Sequence, residues 1–218
     1  MMAATRGALI VLEGCDRVGK STQAKLLVEY LTKRGKPAKL MNFPDRSTTI
    51  GKLLDEYLKQ GQEFDDHAVH LLFSANRWEA ASSMEKLLKS GTTLVLDRYS
   101  DSGIAFSSAK GLDFDWCRNS DAGLPLPDLV LFLQLSQEES RARGGYGQER
   151  YEKEQFQATV RDKFSRLQQD NWTVVSAEQK SIEELQCELR KLVDAAVKSA
   201  LNKSLGHLPT YHNNTRLN

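Results

Sequence analysis

Little in this sequence points to secretion or to a membrane. Its 218 residues include only three cysteines, Cys15, Cys117 and Cys187, which stand far apart and lack the close spacing of a zinc site or a redox motif. The apolar run at residues 8–12 stops at Glu13, and no run in the chain reaches the length of a membrane span. We therefore expect a protein of a reducing compartment, the cytoplasm or the nucleus, with no membrane partner.

An excess of charge of one sign is also missing. Thirty lysines and arginines oppose 29 aspartates and glutamates, so the net charge at pH 7 is +1. This balance excludes bulk attraction to nucleic acid, but a local anion site needs only a few oriented donors and remains open. The length predicts one compact domain over residues 1–200, followed by a frayed polar C-terminal tail over 201–218, where the helical periodicity fades.

Short apolar runs alternate with longer amphipathic stretches along the chain. The runs predict strands at residues 8–12, 38–43, 92–96, 128–135 and 172–176. The stretches between them predict helices at residues 21–34, 49–59, 66–89, 151–169 and 181–200. This alternation favours an α/β fold with a parallel sheet and helices on both faces.

The most specific motif lies between the first predicted strand and helix. Residues 14–21 read Gly-Cys-Asp-Arg-Val-Gly-Lys-Ser, which satisfies G-x-x-x-x-G-K-[ST] in the context that a P-loop requires. Backbone N–H groups and the helix N-terminus would point at phosphate, while Lys20 adds a full charge and Ser21 offers a hydroxyl to magnesium. We therefore expect a nucleoside triphosphate to be bound by Gly14, Arg17, Val18, Gly19, Lys20, Ser21 and Thr22.

Two charged residues inside this motif have competing interpretations. Arg17 is placed where its guanidinium could neutralise charge that develops during phosphoryl transfer, or it is a solvated loop charge. Asp16 is unsuited to the donor phosphates. We expect its carboxylate to face a polar group such as a sugar hydroxyl of a second substrate, or to stabilise the turn.

A second anion site is predicted where two other strands end. Arg46 follows Phe43 at the end of the second strand, and Asp97 and Arg98 end the third. Carboxyl ends of parallel strands share one edge of the sheet, so both arginines should converge on the P-loop and hold a phosphate monoester as acceptor. Asp97 is placed to orient Mg²⁺ or its water ligands, although a surface ion pair would explain any one of these residues.

A base pocket is predicted on the third helix. Phe73 and Arg77 lie four residues apart, on one helix face, where a ring can stack on a base and a guanidinium can hydrogen-bond to its edge. Phe73 alone would be read as a core residue. Arg77 in an apolar stretch favours a function, because an unpaired buried guanidinium is unfavourable.

Taken together, residues 7–200 resemble eukaryotic thymidylate kinases, of the P-loop nucleoside monophosphate kinase family. The resemblance lies in residues 12–14 with 16–17, 43–48, 70–79, 97–99 with 102–103, 123–125 with 127–128, and 149–152. It implies a three-layer fold with a five-stranded parallel sheet, a short lid at about residues 143–150 that brings Arg143 over ATP, and a homodimer. The implied reaction is in-line transfer from ATP to dTMP with Mg²⁺, giving dTDP for dTTP synthesis.

The resemblance also implies roles for individual residues. Arg17, Lys20, Asp97 and Arg98 would be catalytic, with Ser21 and Asp97 at the metal. The dTMP contacts would be Asp16 at the sugar, Arg46 and Arg98 at the phosphate, Phe73 and Arg77 at thymine, and Tyr151 and Gln157 at the nucleoside, with Phe43, Ser102, Gly103 and Phe106 in the same pocket. Residues 176–180 depart from the family around the expected adenine loop.

Two other functions remain open from the residues alone. A kinase of the same fold could act on another nucleoside monophosphate or on a deoxynucleoside, although a deoxynucleoside lacks the phosphate that Arg46 and Arg98 are suited to hold. A P-loop switch or scaffold would need neither the second anion site nor an arginine in the P-loop.

Overall fold

The computed structural model describes residues 5–142 and 149–211, and a five-stranded parallel sheet forms its centre. The strand order is β2-β3-β1-β4-β5, and every pair of neighbours is parallel. The strands are β1 (Leu9–Glu13), β2 (Ala38–Asn42), β3 (Thr93–Asp97), β4 (Leu129–Gln134) and β5 (Trp172–Ser176). All five predicted strands are confirmed, with boundary differences of one residue.

Eight helices connect and cover these strands in the described part of the chain. They are α1 (Lys20–Lys33), α2 (Thr49–Leu58), α3 (Asp66–Lys89), α4 (Ser100–Ala109), α5 (Phe114–Asn119), α6 (Gln137–Ala142), α7 (Glu154–Ser165) and α8 (Ile182–Ala200). The sequence did not predict α4, α5 or α6, and α7 is shorter than residues 151–169. The α4 sequence, rich in serine with one glycine, is buried around most of its circumference, so it shows no amphipathic period.

The core lies on both faces of the sheet. Ile10 and Leu12 of β1 pack on one face against α1 and α8, while Leu9 and Val11 pack on the other against α3. Alternate β1 side chains therefore reach opposite layers, as expected for a central parallel strand. The three-layer α/β fold is confirmed.

Strand register brings three loops to one edge of the sheet. Asp97, the last residue of β3, stands beside Leu12 of β1 and Asn42 of β2. The loops that follow β1, β2 and β3 therefore begin side by side, at the point where the strand order reverses, which is where open α/β sheets bind ligands.

Residues 203–211 are not the frayed tail expected from the sequence. The Leu126 N–H donates to the Gly206 carbonyl at 2.9 Å, and the Leu208 N–H donates to the Leu124 carbonyl at 2.8 Å. The segment packs against the loop before β4 instead of forming an element of its own, so its local sequence carries little signal. Residues 212–218 lie outside the described residues, as do Arg143 and most of the expected lid.

None of the helices that the structure describes is both long enough and apolar enough to cross a membrane.

Candidate active site

The P-loop takes a conformation that its glycines permit. Gly14 has φ +140°, and a Cβ atom there would stand 2.5 Å from the Leu133 carbonyl oxygen, so a side chain has no room. Gly19 has φ +97° and directly precedes α1. The loop therefore leads into the helix N-terminus, as the motif predicted.

Lys20 lies beneath this loop, not in open solvent. Its side chain is buried and donates to the Cys15 carbonyl at 2.6 Å. Burial, and then the charge of Arg98, lower the pKa of Lys20 to about 8. The negative charge of a bound phosphate would stabilise the protonated form of Lys20.

The two predicted metal ligands are in contact. The Ser21 hydroxyl donates to the Asp97 carboxylate, and Oδ1 of Asp97 is buried with no hydrogen-bond partner among the described residues. A hydroxyl beside a carboxylate with an unsatisfied oxygen suits a hard cation such as Mg²⁺. The described residues contain no cluster of three or more His, Cys, Asp or Glu side chains that could hold a metal, so further ligands would come from phosphate and water.

The arginines expected at the phosphates are paired with carboxylates. Arg17 Nη2 lies 2.8 Å from Glu152, and Arg46 bridges Asp55 at 2.7 Å and Glu149 at 2.8 Å. Glu149 directly follows residues 143–148, and Glu152 lies three residues further along the chain. Neither glutamate was assigned a role from the sequence, because nothing local shows which cations they meet.

Arg98 and Asp16 form a junction between the end of β3 and the P-loop. Arg98, at φ +66°, pairs with the Asp16 carboxylate and donates to the Gly14 carbonyl at 3.1 Å and to the Ser102 hydroxyl at 3.0 Å. Burial opposes the charge of Arg98, but the carboxylates of Asp16, Asp97 and Glu13 outweigh burial and raise its pKa. The guanidinium is therefore fixed and charged.

Gln157 stands behind Asp16. Its Nε2 donates to Asp16 Oδ2 at 2.6 Å, and its Oε1 accepts from the Asp16 N–H at 3.1 Å. Gln157 does not line the cavity described below, so its contact with a nucleoside remains a prediction.

Glu13 has a structural role that the sequence did not predict. It ends β1 fully buried, and it accepts from the backbone N–H groups of Tyr99 at 2.9 Å and Ser102 at 3.0 Å, and from the Ser102 hydroxyl. Burial raises its pKa. Glu13 thus ties the first turn of α4 to β1 and holds the serine that meets Arg98.

Two cavities meet at this junction. The first is lined by ten of the eleven residues predicted to bind dTMP: Asp16, Phe43, Arg46, Phe73, Arg77, Arg98, Ser102, Gly103, Phe106 and Tyr151. The second is lined by Arg17, Val18, Gly19, Lys20, Ser21 and Thr22, with Asp97 and, at its far end, Lys180, Ser181, Ile182 and Leu185. Both cavities are lined by Asp16, Phe43, Pro44, Arg46, Arg98 and Glu149, so these residues lie between the two.

Arg77 has a charged partner that the sequence did not predict. Arg77 is buried, but it is not unpaired: Nε donates to Asp121 Oδ1 at 3.1 Å, and Nη2 lies 2.7 Å from Oδ2. The structure nevertheless places Arg77 and Phe73 on the wall of the first cavity. Gly103 makes room for the guanidinium, since a Cβ there would stand 2.7 Å from Nη2.

Comparisons with known proteins agree on one family. A family model described as Thymidylate kinase matches residues 12–189. A human thymidylate kinase is 52% identical over 211 residues, covering 95% of this chain and 99% of that protein. One from Arabidopsis thaliana is 51% identical over 193 residues, covering 88% of this chain and 73% of that protein. A solved thymidylate kinase structure from Candida albicans is similar at a TM-score of 0.87 and 41% identity, over 94% of this chain and 100% of that chain.

Proposed function

Because the chain belongs to the thymidylate kinase family, we propose that the two adjoining cavities bind ATP and dTMP for direct phosphoryl transfer. The protein is a thymidylate kinase and phosphorylates dTMP to dTDP with ATP, the step that leads to dTTP. We call the cavity beside the P-loop the triphosphate cavity and the cavity beside Phe73 and Arg77 the acceptor cavity. The observation that carries this assignment is their shared wall, which includes Asp16, Arg46 and Arg98.

The shared wall suits transfer between two bound phosphates. Arg46 and Arg98 would hold the dTMP phosphate by bidentate contacts, and Lys20 and Arg17 would neutralise charge on the γ-phosphoryl group as it passes. Because Arg17 and Arg46 are already paired with Glu152 and Glu149, substrate phosphates would replace these carboxylates. Positioning and charge neutralisation thus supply the catalysis.

The acceptor cavity suits a nucleoside. Phe73 would stack on thymine and Arg77 would donate to its O4, while Asp16 and Tyr151 would face the sugar. Gly103 and Phe106 close the wall around the base. Cytosine carries an amino group where thymine carries O4, so Arg77 would disfavour it.

Ser21 and Asp97 would hold Mg²⁺ at the triphosphate, directly or through water. Bound there, Mg²⁺ would supply positive charge that offsets the negative charge of the triphosphate. The protein itself supplies the other functions at this site. The Asp97 carboxylate would orient the water ligands of the ion, and the P-loop N–H groups would hold the phosphates in place.

A homodimer and a reducing location are part of this proposal. On α3, Leu71 is 50% exposed and Trp78 42% exposed. They stand seven residues apart and so share a face, which is suited to burial against a second copy. Light scattering of the wild type and of Leu71→Lys tests the dimer: a monomeric wild type would refute it.

The location is proposed from the cysteines. All three are free thiols, as expected in the cytoplasm or the nucleus.

An acceptor panel tests the function. With ATP and Mg²⁺, we expect dTMP to give the highest kcat/KM, dUMP a lower one, and dCMP, UMP and thymidine very low ones. The missing methyl group of dUMP forfeits about 1–3 kcal/mol of contact, so dUMP should still react. Preference for thymidine would indicate a deoxynucleoside kinase, and ATP binding without ADP production would indicate a switch.

A further inference from the structure

Behind the wall of the acceptor cavity lies a buried carboxylate that does not touch the cavity. Asp121 follows α5, is fully buried and does not line the cavity itself. Asp121 Oδ1 accepts a hydrogen bond from Arg77 Nε at 3.1 Å, and Oδ2 lies 2.7 Å from Nη2 as an ion pair without hydrogen-bond geometry. This two-point contact, the Asp121 fork, restrains both the position and the plane of the guanidinium.

The short turn that carries Asp121 is held by α3, the helix that also carries Arg77. Ser74 Oγ lies 2.8 Å from both Asp121 Oδ1 and the Ser120 carbonyl, and Trp78 Nε1 donates to the same carbonyl at 2.9 Å. One turn earlier, His70 Nε2 lies 2.9 Å from the Ser120 hydroxyl. Several polar residues of one helix thus hold the turn on which the partner of Arg77 sits.

The fork decides which donors Arg77 can present. Of the guanidinium nitrogens, only Nε makes a hydrogen bond among the described residues; Nη2 is buried beside Asp121 Oδ2 without one, and Nη1 has none. Gly103 packs against the Nη1 and Nη2 end. The guanidinium has donors only, and a fixed one cannot turn away when a base brings a second donor towards it.

We propose that Asp121 is a positioning residue that sets the choice of acceptor base: it locks Arg77 so that the cavity accepts a carbonyl and rejects an amino group at position 4 of a pyrimidine. This proposal rests on the role of Arg77 proposed above. Asp121 acts only through Arg77, since it lies outside the cavity.

The chain offers a matched control for a purely structural role. Arg6 and Asp128 form another fork, at 2.8 Å and 2.6 Å, in which Arg6 is buried and Asp128 is partly buried. Asp128 directly precedes β4, at the edge of the sheet opposite the cavities. Loss of either carboxylate leaves a buried guanidinium without its counter-charge and should destabilise the fold. Only the loss of Asp121 should change the choice of base.

The experiment measures kcat/KM for dTMP, dUMP and dCMP in the full-length enzyme and in Asp121→Asn, Asp128→Asn and Arg77→Ala. An asparagine presents an amide N–H₂ to the guanidinium donors, so the fork is lost. For Asp121→Asn we expect kcat/KM for dTMP to fall about 10- to 100-fold, mainly through KM, the range for a charged hydrogen bond. The ratio of dTMP to dCMP should fall by about tenfold, while the ratio of dTMP to dUMP stays constant, because both bases carry O4.

Each alternative outcome is distinct. If Asp121→Asn lowers the melting temperature as Asp128→Asn does but leaves the dTMP to dCMP ratio unchanged, Asp121 is structural and the proposal fails. If Arg77→Ala also leaves this ratio unchanged, the base-binding role of Arg77 fails instead. Should Asp121→Asn not fold, Ser74→Ala removes one bond to Oδ1, and an unchanged ratio in that variant would overturn the proposal. We expect a fall of about two- to fivefold there.

Discussion

Replacing Lys20 by methionine should abolish phosphoryl transfer without weakening the ligand-free fold. Burial lowers the pKa of Lys20 from its ordinary 10.5 to about 8, which corresponds to roughly 3 kcal/mol of destabilisation when the side chain is charged at pH 7. Methionine fills a similar volume without charge, but it leaves the Cys15 carbonyl without its donor, at about 1–3 kcal/mol. We expect the free energy of unfolding at pH 7 to be unchanged or higher by up to ~2 kcal/mol.

The free energy of unfolding of the wild type and of the variant should depend differently on pH. The pKa is lower in the folded state, so between about pH 8 and 10.5 the unfolded chain binds more protons and the wild type becomes more stable as the pH rises. Methionine has no such titration. The variant should therefore lose its advantage across this window and become the less stable protein above it.

Urea unfolding of both proteins at pH 7 and pH 10.5, at one fixed protein concentration, measures the two differences. Saturating ATP should stabilise the wild type by about 2–4 kcal/mol and the variant much less, because the variant lacks the phosphate charge partner. Loss of more than ~2 kcal/mol in the ligand-free variant at pH 7 would show that Lys20 is a structural residue and refute the reasoning. Normal turnover by the variant would refute the P-loop assignment.

Three further outcomes are expected. Arg17→Gly should lower kcat by about a thousandfold or more with little change in either KM, because its charge acts in transfer; a change confined to the KM for ATP would make it a binding residue only. In the wild-type enzyme, kcat/KM for ATP should fall as the pH rises above about 8, because Lys20 loses its proton. The value of kcat at saturating ATP should stay constant to a higher pH. A kcat/KM for ATP that does not change up to pH 10 would contradict the lowered pKa of Lys20. Truncation before residue 202 removes the backbone partners of Leu124 and Leu126 and should lower the free energy of unfolding by at least ~2 kcal/mol in urea; an unchanged midpoint would mean that the segment adds nothing to stability.

The sequence by itself determined the donor half of the site. The P-loop binds through backbone groups of eight consecutive residues, so its geometry follows from local glycines and a helix start. The same holds for Arg46, Asp97 and Arg98. Arg46 lies four residues after β2, Asp97 ends β3 and Arg98 follows it, and the carboxyl ends of parallel strands necessarily meet at one edge.

Only the tertiary structure decided which charges meet. Asp121 lies 44 residues from Arg77, and Glu152 lies 135 residues from Arg17. A carboxylate in a loop carries no local mark of its partner. Gln157 holds Asp16 through a hydrogen bond that spans 141 residues of sequence, because the orientation of α7 is set by packing and not by its own sequence.

Long-range packing also explains the elements that the sequence did not predict. Hydrophobic periodicity reports an element with one buried face, whereas α4 is buried around most of its circumference and residues 203–211 are held by backbone hydrogen bonds to the loop before β4. Glu13 ends a fully buried strand, where a carboxylate is stable only because the N–H groups of a distant helix reach it. Local chemistry thus determined the phosphate site, and long-range packing determined the residues that hold the acceptor side in place.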